Sequence, residues 1–485
     1  MPPTIFVRLT FSLIPVQRAY LAEFTVHSAP DTAPGDRLAF CEDAIQLPLE
    51  DRDVALVCCD PTRQEWNTVL GPLRNSSAGR GGLWIVDPVS VSGGASVAEA
   101  KDVRPQRVEL DWPALEQGDV DFHPLGMDII DTEEGEKRLF VINHQRSSAT
   151  VEVFHLARSS PSFLPSTFSA THSFTLSHPS FTGAPNSLAA VSPTTFYLSH
   201  DHRFNRRTTS PLKKLANFAE TVFALPLGRV DLVSFDLVQS APEITVQPAA
   251  SSIPFANGVA VSPSGKTLVV ASTTSRSALF FDRNTTTGKL GSKPRRQLDL
   301  PFLVDNLSVA PRRFFSSAYL PSSSLKQHDE LLSIDDASDD PFLLIAAGHP
   351  SYPALLSIAH RLSFSFSVSL PLHLFGLGWR QLRAFSFDWQ KQRGMSWVVV
   401  AKEGEDEVEE EYYAVRGKEE DEGEEEWTNL FQSSGVVRDG GLRHGFGGST
   451  TAVVGWSAPV GETEKKRWMV VTGLYEEGVK LVMQT

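Results

Sequence analysis

Residues 255–272 read FANGVAVSPSGKTLVVAS and contain the unit from which the fold can be inferred. A polar residue, Asn257, opens a short apolar run, a Ser-Pro-Ser-Gly turn follows, and a second Val-rich run ends at Ser272. Both runs are too short for a helix, and Pro and Gly mark the turn between them, which is typical of two paired β-strands. We therefore predict a β-hairpin over this stretch.

The same unit recurs five more times along the chain, and the residue type at its opening position varies. These opening residues are Glu42, Leu125, Asn186, Asn306 and Ser449. Six copies of one strand-turn-strand unit predict an all-β fold, a six-bladed β-propeller, because radial repetition is a common way to protect strand edges. The alternative is an irregular β-sandwich in which the Ser-Pro turns are unrelated.

We assign residues 36–485 to a single propeller with two inserts, 311–340 and 403–426, and residues 1–35 to an N-terminal segment. The apolar start of that segment is interrupted by Arg8, so it is either a degraded signal or anchor or an ordinary strand or helix. No run of about 18 uncharged apolar residues occurs. Membrane association is therefore expected only through the N-terminus.

The net charge of −14 is concentrated in one place. Residues 403–426 hold 14 acidic side chains against two basic ones, a net −12, which leaves about −2 for the rest of the chain. A near-neutral body without a basic stripe argues against nucleic-acid binding, which needs clustered Lys and Arg. The acidic run is expected to be a solvated loop.

The cysteine pattern bears on redox chemistry. The three cysteines are Cys41, Cys58 and Cys59, and the odd count and the adjacency of two of them predict no disulfide framework. Localisation stays open, and we favour a secreted or endomembrane location over a cytoplasmic one.

In a propeller the innermost strands line a central channel, so the polar residues that open the repeats should converge. They are Glu42, Asn186, Asn257, Asp305 and Asn306. Two carboxylates and three amides form an all-oxygen set with a charge of −2, which suits calcium better than zinc. Taken singly, Asn257-Gly258 could be a turn and Asp305-Asn306 a strand-end cap.

Several segments resemble the paraoxonase/arylesterase family, in order, from about residue 40 to about residue 350. They are Glu42-Asp43, 123–127 (HPLGM), 141–144 (VINH), Pro185-Asn186, 199–202 (SHDH), 255–258 (FANG), 303–306 (LVDN) and 348–350 (GHP). The resemblance implies a six-bladed propeller with two calcium ions in its channel, one catalytic and one structural. It assigns Glu42, Asn186, Asn257, Asp305 and Asn306 to the catalytic ion. The side chain of Asp43 and the carbonyl of Met127 would help to hold the structural ion.

Three departures from the family pattern stand out. Ser187 replaces an aspartate that binds the structural ion, so a second calcium should be weakened. Leu125 replaces one of a pair of histidines above the catalytic ion; His144 matches the other, and His123 lies two residues away as a poor substitute. The family's disulfide to the last strand cannot form because no cysteine follows Cys59, so closure should rest on strand pairing.

The function expected from the resemblance is calcium-dependent hydrolysis of a small aryl ester or lactone. Calcium would polarise the carbonyl, and His144 or Asp305 would activate water. His349 and the pair Asp201-His202 also match channel positions of the family. A nucleophilic serine is excluded, because no Gly-x-Ser-x-Gly elbow occurs. The alternatives are a non-catalytic, calcium-stabilised propeller that binds a partner and, less favoured, a lactonase of the gluconolactonase type.

Overall fold

A computed structural model describes most of the chain. The described residues are 21–29, 32–33, 36–50, 52–74, 80–88, 103, 105–158, 167–238, 241–311, 342–350, 352–360, 363–371, 379–388, 396–403, 427–433, 437–439, 442–444, 448–457 and 466–484. Residues 1–20 of the N-terminal segment and nearly all of both predicted inserts lie outside these ranges.

Among the described strands, six sheets have four or five strands each, and the four main strands of every sheet pair antiparallel with their neighbours. The predicted six-bladed β-propeller is therefore confirmed. Blade 1 comprises β2 (Cys41–Pro48), β3 (Asp53–Cys59), β4 (Gly82–Val86) and β5 (Gln106–Arg107). Blade 2 comprises β7 (Pro124–Asp131), β8 (Lys137–Asn143), β9 (Thr150–Arg158) and β10 (Phe168–Leu176), with β6 (Glu109–Asp111) parallel to β10 at its edge. Blade 3 comprises β11 (Pro185–Ser192), β12 (Thr195–His200), β13 (Gly228–Val238) and β14 (Ala241–Ile253).

The remaining three blades follow in chain order. Blade 4 comprises β15 (Ala256–Val261), β16 (Thr267–Ser272), β17 (Ser277–Asp282) and β18 (Arg296–Asp299). Blade 5 comprises β19 (Leu303–Pro311), β20 (Phe342–His349), β23 (Ser396–Glu403) and β24 (Trp427–Ser433). Blade 6 comprises β27 (Ser449–Ser457), β28 (Lys466–Gly473), β29 (Val479–Gln484) and β1 (Leu21–Val26).

The apolar runs of the sequence are the second strands of the blades, which pack on both faces. All six residues of β16 are buried, and so are six of the seven residues of β3. A buried apolar cluster lies between every neighbouring pair of blades. The innermost strands contact one another in the ring order β2, β7, β11, β15, β19, β27. Burial of both faces explains why these strands read as continuous rather than alternating apolar runs.

The ring is closed by pairing between the two ends of the chain. Strand β1 lies antiparallel to β29, with Leu21 opposite Gln484 and Val26 opposite Val479. Closure by strand pairing, as expected, is therefore confirmed. Part of the range 1–35, assigned from the sequence to an N-terminal segment, is the outermost strand of blade 6.

The expectation of no disulfide was wrong, because Cys41 and Cys59 are joined. The two residues face each other across β2 and β3. Adjacency in sequence misled the prediction: successive residues of a strand point to opposite faces. Cys59 therefore faces Cys41, whereas the buried thiol of Cys58 donates to the carbonyl of Leu125 at 2.7 Å.

The described residues include three α-helices between strands, α1 (Pro113–Glu116), α2 (Pro211–Val222) and α3 (Tyr352–Ala359), and a 3-10 turn at Pro179–Thr182. Two further hairpins pair β21 (Ser363–Pro371) with β22 (Trp379–Asp388) and β25 (Val437–Asp439) with β26 (Leu442–His444). Within the described ranges, no helix is long and apolar enough to cross a membrane.

Candidate metal centre and active site

Each innermost strand carries a register shift near its start. The shifts fall between Cys41 and Asp43, Pro124 and Met127, Pro185 and Leu188, Ala256 and Val259, Val304 and Leu307, and Ser449 and Ala452. A bulge inserts an extra residue and re-aims the neighbouring side chains. The polar residues that open the sequence repeats lie inside these bulges, which is why they leave the strand pattern and meet in the channel.

The inner strands approach one another closely at glycines beside the bulges. A Cβ atom on Gly258 would lie 2.6 Å from the Cα of Asn306 and 2.8 Å from the carbonyl oxygen of Asp305. On Gly126 it would lie 2.6 Å from the carbonyl oxygen of Asn186. Asn257 and Gly258 therefore lie in an inner strand and not in a turn, and position 258 requires glycine because no Cβ atom fits there.

The three channel asparagines are oriented by hydrogen bonds from their amide nitrogens. Their acceptors are Asp201 Oδ2 at 3.2 Å for Asn186, Thr273 Oγ1 at 3.0 Å and Asp305 Oδ1 at 2.6 Å for Asn257, and Glu42 Oε1 at 2.9 Å and Thr451 Oγ1 at 3.0 Å for Asn306. Because carboxylates only accept, these contacts fix which amide atom is the nitrogen. The carbonyl oxygens must then point the other way.

Those carbonyl oxygens have no hydrogen-bond partner. The Oδ1 atoms of Asn186, Asn257 and Asn306 and the Oε2 atom of Glu42 are all buried without one. A buried polar atom without a partner costs about 1–3 kcal/mol, so four in one channel is an expensive arrangement. Oxygen acceptors of this kind are the ligands that calcium takes.

The electrostatics of Glu42 also favour a cation. Burial, together with the charges of Asp43 and Asp305, raises the pKa of Glu42 well above its usual range. A bound divalent cation would relieve this repulsion and keep the carboxylate ionised. No cluster of three or more His, Cys, Asp or Glu that could hold a metal occurs in the described part of the chain. The candidate set instead combines two carboxylates with three amides, and it fits calcium.

A cavity opens beside this oxygen set and contains a carboxylate–imidazole pair. Glu42, Asn186, Asn257 and Asp305 line it together with His349. His349 Nε2 lies 2.8 Å from Asp305 Oδ2, and since a carboxylate only accepts, Nε2 carries the proton. The other ring nitrogen, Nδ1, is buried without a partner. In neutral His349 it is therefore an unoccupied proton acceptor in the wall of the cavity.

The rest of the cavity wall is largely apolar. Its apolar side chains are Val69, Leu70, Leu125, Phe255, Leu303, Leu355 and Leu474. Tyr352 and Leu355 come from α3, which begins three residues after His349. An apolar wall around a few convergent polar groups is typical of a site for a small organic molecule.

His144, predicted to be catalytic, lies outside the lining of this cavity. Its Nε2 donates to the carbonyl of Pro185 at 2.7 Å, and its Nδ1 is hydrogen-bonded to the hydroxyl of Thr68. Burial, and then the charge of Arg207, holds the pKa of His144 well below its usual range. Both nitrogens are engaged, so His144 holds the backbone next to Asn186. A catalytic role for it stays a prediction.

His123 and the pair Asp201-His202 are also held by hydrogen bonds. His123 Nδ1 pairs with Asp60 Oδ2 at 2.9 Å. Burial opposes ionisation of Asp60, but the hydrogen bond and charge of His123 outweigh it, and the pKa of Asp60 is lowered. Asp201 holds the amide of Asn186, and His202 lies between Asp201 Oδ1 at 2.9 Å and Thr221 Oγ1 at 2.6 Å. His123 therefore does not replace the histidine missing at Leu125.

Two threonines around the oxygen set were missed by the sequence reasoning. Thr273 directly follows the second strand of its hairpin and accepts from the amide of Asn257. Thr451 lies in the bulge of blade 6 and accepts from the amide of Asn306. Thr451 could have been found, because the sixth repeat should contribute to the channel as the others do. Nothing local to Thr273 distinguishes it from an ordinary strand end.

A family model for arylesterases matches residues 100–339. This range includes four of the five residues of the oxygen set. Over this range the chain is similar to the paraoxonase/arylesterase family.

Among similar proteins of that family, mouse serum paraoxonase/arylesterase 1 is 28% identical over 46% of this chain and 59% of its own length. Human serum paraoxonase/arylesterase 2 is 28% identical over 45% of this chain and 54% of its own. The chain thus matches somewhat over half the length of these paraoxonases. Among solved structures, the Dos1 propeller is 9% identical over 95% of this chain and 94% of that chain, with a TM-score of 0.33.

Proposed function

We propose that this paraoxonase relative is a calcium-dependent hydrolase of aryl esters or lactones. The observation that carries the proposal is one cavity lined by the Asp305–His349 pair and by three residues with a buried, unpartnered oxygen, Glu42, Asn186 and Asn257. Glu42, Asn186, Asn257, Asp305 and Asn306 would hold the ion. When bound, calcium supplies positive charge that stabilises the oxyanion developing on the substrate carbonyl.

The chain's own residues supply the proton transfer. His349 Nδ1 takes a proton from the attacking water, whose oxygen adds to the carbonyl carbon, while Asp305 accepts the Nε2 hydrogen bond and stabilises the imidazolium. The same proton then passes to the leaving oxygen as the ester bond breaks. We prefer His349 to His144 as the base because only His349 has a free nitrogen at the cavity.

The apolar wall would bind the substrate and exclude water. Leu125, Phe255 and Leu303 lie around the polar set, so an aryl or alkyl group can be buried while the carbonyl faces the oxygen ligands. A low-dielectric site strengthens every charge interaction in it.

The test is hydrolysis of phenyl acetate and a δ-lactone by the full chain, with calcium and with a chelator. We expect turnover only with calcium. The variant His349→Asn should keep calcium binding and lose about 10²–10⁴-fold in rate, the usual contribution of a general base. The matched control is His155→Asn, since His155 only pairs with Glu136 on a half-exposed outer surface.

The main alternative is a non-catalytic propeller in which calcium is only structural. Absence of turnover on both substrates, with a calcium-dependent rise in melting temperature, would favour it. Full activity of His349→Asn would refute the assignment of the base while leaving the calcium chemistry standing.

A further inference from the structure

The carboxylate of Asp43 lies next to Glu42 in the chain but has a different environment. The resemblance assigns Asp43, with the carbonyl of Met127, to a second ion. In the structure Asp43 Oδ1 accepts from the backbone N–H of Ala44 at 2.8 Å and lies 3.0 Å from the hydroxyl of Thr451. Asp43 Oδ2 accepts from the backbone N–H of Met127 at 2.8 Å. Both oxygens are therefore satisfied by protein donors.

The contact between Met127 and Asp43 is a hydrogen bond made by a donor group. A backbone N–H is only a donor and cannot ligate a cation, whereas a carbonyl oxygen can. Met127 directs its N–H, not its carbonyl, at Asp43. The bulge in β7 sets this orientation, because the register shift spans Met127.

Ser187, on the inner strand of blade 3, is also engaged. Ser187 stands where the family has an aspartate, and its hydroxyl oxygen accepts from the backbone N–H of Val259 at 3.3 Å. This contact joins the inner strand of blade 3 to that of blade 4. A hydroxyl is neutral, so it adds no charge to attract an ion.

The contrast with the oxygen set above is direct. There, one oxygen each of Glu42, Asn186, Asn257 and Asn306 is buried without a partner. Asp305 is the exception in that set, since its oxygens accept from Asn257 and His349. Here, the oxygens of Asp43 accept from three donors on the inner strands of blades 1, 2 and 6. One group of residues fits an ion, and the other does not.

We infer that this chain binds one calcium ion where its family resemblance implies two, and that the hydrogen-bonded carboxylate of Asp43 joins the inner strands where the second ion would lie. Ser187 is the residue that removes the second ion, because it supplies a neutral hydroxyl where the family has a carboxylate. The nearby carboxylate of Asp128 accepts from the backbone N–H groups of Ile129 and Ala190. The count of one rests on the calcium centre of the proposed function. The role of Asp43 in joining the inner strands by hydrogen bonds is independent of that calcium centre.

The test is the number of calcium ions held per folded chain, measured by native mass spectrometry and by equilibrium dialysis with calcium chloride. We expect one ion for the wild type and one for the control Ser187→Ala. We expect two for Ser187→Asp, which restores the carboxylate of the family pattern at this position. Neither measurement depends on hydrolytic activity.

The outcomes separate this inference from the proposed function. Two ions in the wild type would overturn the inference and leave the proposed calcium centre intact. No ion would overturn both. One ion in a folded Ser187→Asp variant would refute the role given to Ser187, and if that variant does not fold, the wild-type count still decides whether a second ion is present.

Discussion

Replacing Gly258 by Ala would test whether the close approach of the inner strands builds the channel. The added Cβ would lie 2.6 Å from the Cα of Asn306 and 2.7 Å from the backbone nitrogen of Leu307. Ordinary contact begins at 3.4 Å, so β15 and β19 must separate by up to 0.8 Å. Both obstacles are backbone atoms, which cannot rotate away as a side chain could.

The size of the effect follows from this geometry. Overpacking a well-packed interior costs about 1–3 kcal/mol. The two strands that must separate carry Asn257 on one side and Asp305 with Asn306 on the other, so their ligand oxygens would shift together. A misplacement of about 1 Å in an active site can cost about 10²-fold in rate. We expect Gly258→Ala to be about 1–3 kcal/mol less stable than the wild type and to lose most of any calcium-dependent activity.

The assay is urea denaturation in excess chelator, which measures packing without the ion, followed by calcium titration and ester hydrolysis. The matched control is Gly291→Ala in the same blade, where the nearest atoms to the new Cβ are 3.5 and 3.9 Å away. We expect the control to stay within about 0.5 kcal/mol of the wild type. If Gly258→Ala were as stable as Gly291→Ala and bound calcium normally, the reasoning on strand approach would be refuted.

Three further predictions concern the ion, a buried carboxylate and the disulfide. Chelation should destabilise the chain by about 4 kcal/mol relative to calcium at a thousand times its Kd, and an unchanged melting temperature would count against the calcium centre. Burial opposes ionisation of Glu152, but hydrogen bonds from His172 and from the hydroxyls of Thr150 and Thr175 lower its pKa. The stability it contributes is thus present above its unfolded pKa of about 4.3 and is lost as pH falls through the folded pKa. In urea denaturation, the difference in free energy of unfolding between the wild type and Glu152→Gln should be largest at pH 7 and shrink below pH 4. A difference that does not change with pH would contradict this. Cys41 and Cys59 are 18 residues apart, and replacing both by Ser should lower the free energy of unfolding by about 3 kcal/mol. The urea midpoint of the variant should fall accordingly. A reducing agent should lower the midpoint of the wild type by the same amount and leave that of the variant unchanged.

The candidate site illustrates how far sequence reasoning reaches. The ligand set was predicted because five oxygen-bearing residues recur at one position of a repeat, and repeats carry their geometry with them. The sequence does not show whether His144 or His349 can take up a proton, because a strand-end histidine looks the same in sequence whether its nitrogens are bound or free. Only the structure showed the hydrogen bonds of His144 to Thr68 and Pro185 and the free Nδ1 of His349.

The cysteines show where that reasoning fails, and the N-terminal strand shows where it leaves alternatives open. Cys41 and Cys59 pair because two strands place them opposite each other, which no count or spacing of three cysteines indicates. Residues 21–26 were set apart because their partner, β29, lies more than 450 residues away in the chain. Periodicity describes the local backbone and says nothing of such a partner.

The sequence by itself determined the six-bladed propeller and the chemistry of its channel, since apolar runs, turns and opening residues repeat locally. The tertiary structure decided what those residues do. Bulges and glycine contacts turn the opening residues inward, and closure of the ring sets which hydrogen bonds each one finds. Glu42 and Asp43 are adjacent in the chain, yet Glu42 has an unpartnered oxygen, whereas both oxygens of Asp43 accept hydrogen bonds. The reason is physical: donors from distant blades decide whether a buried oxygen is left for an ion.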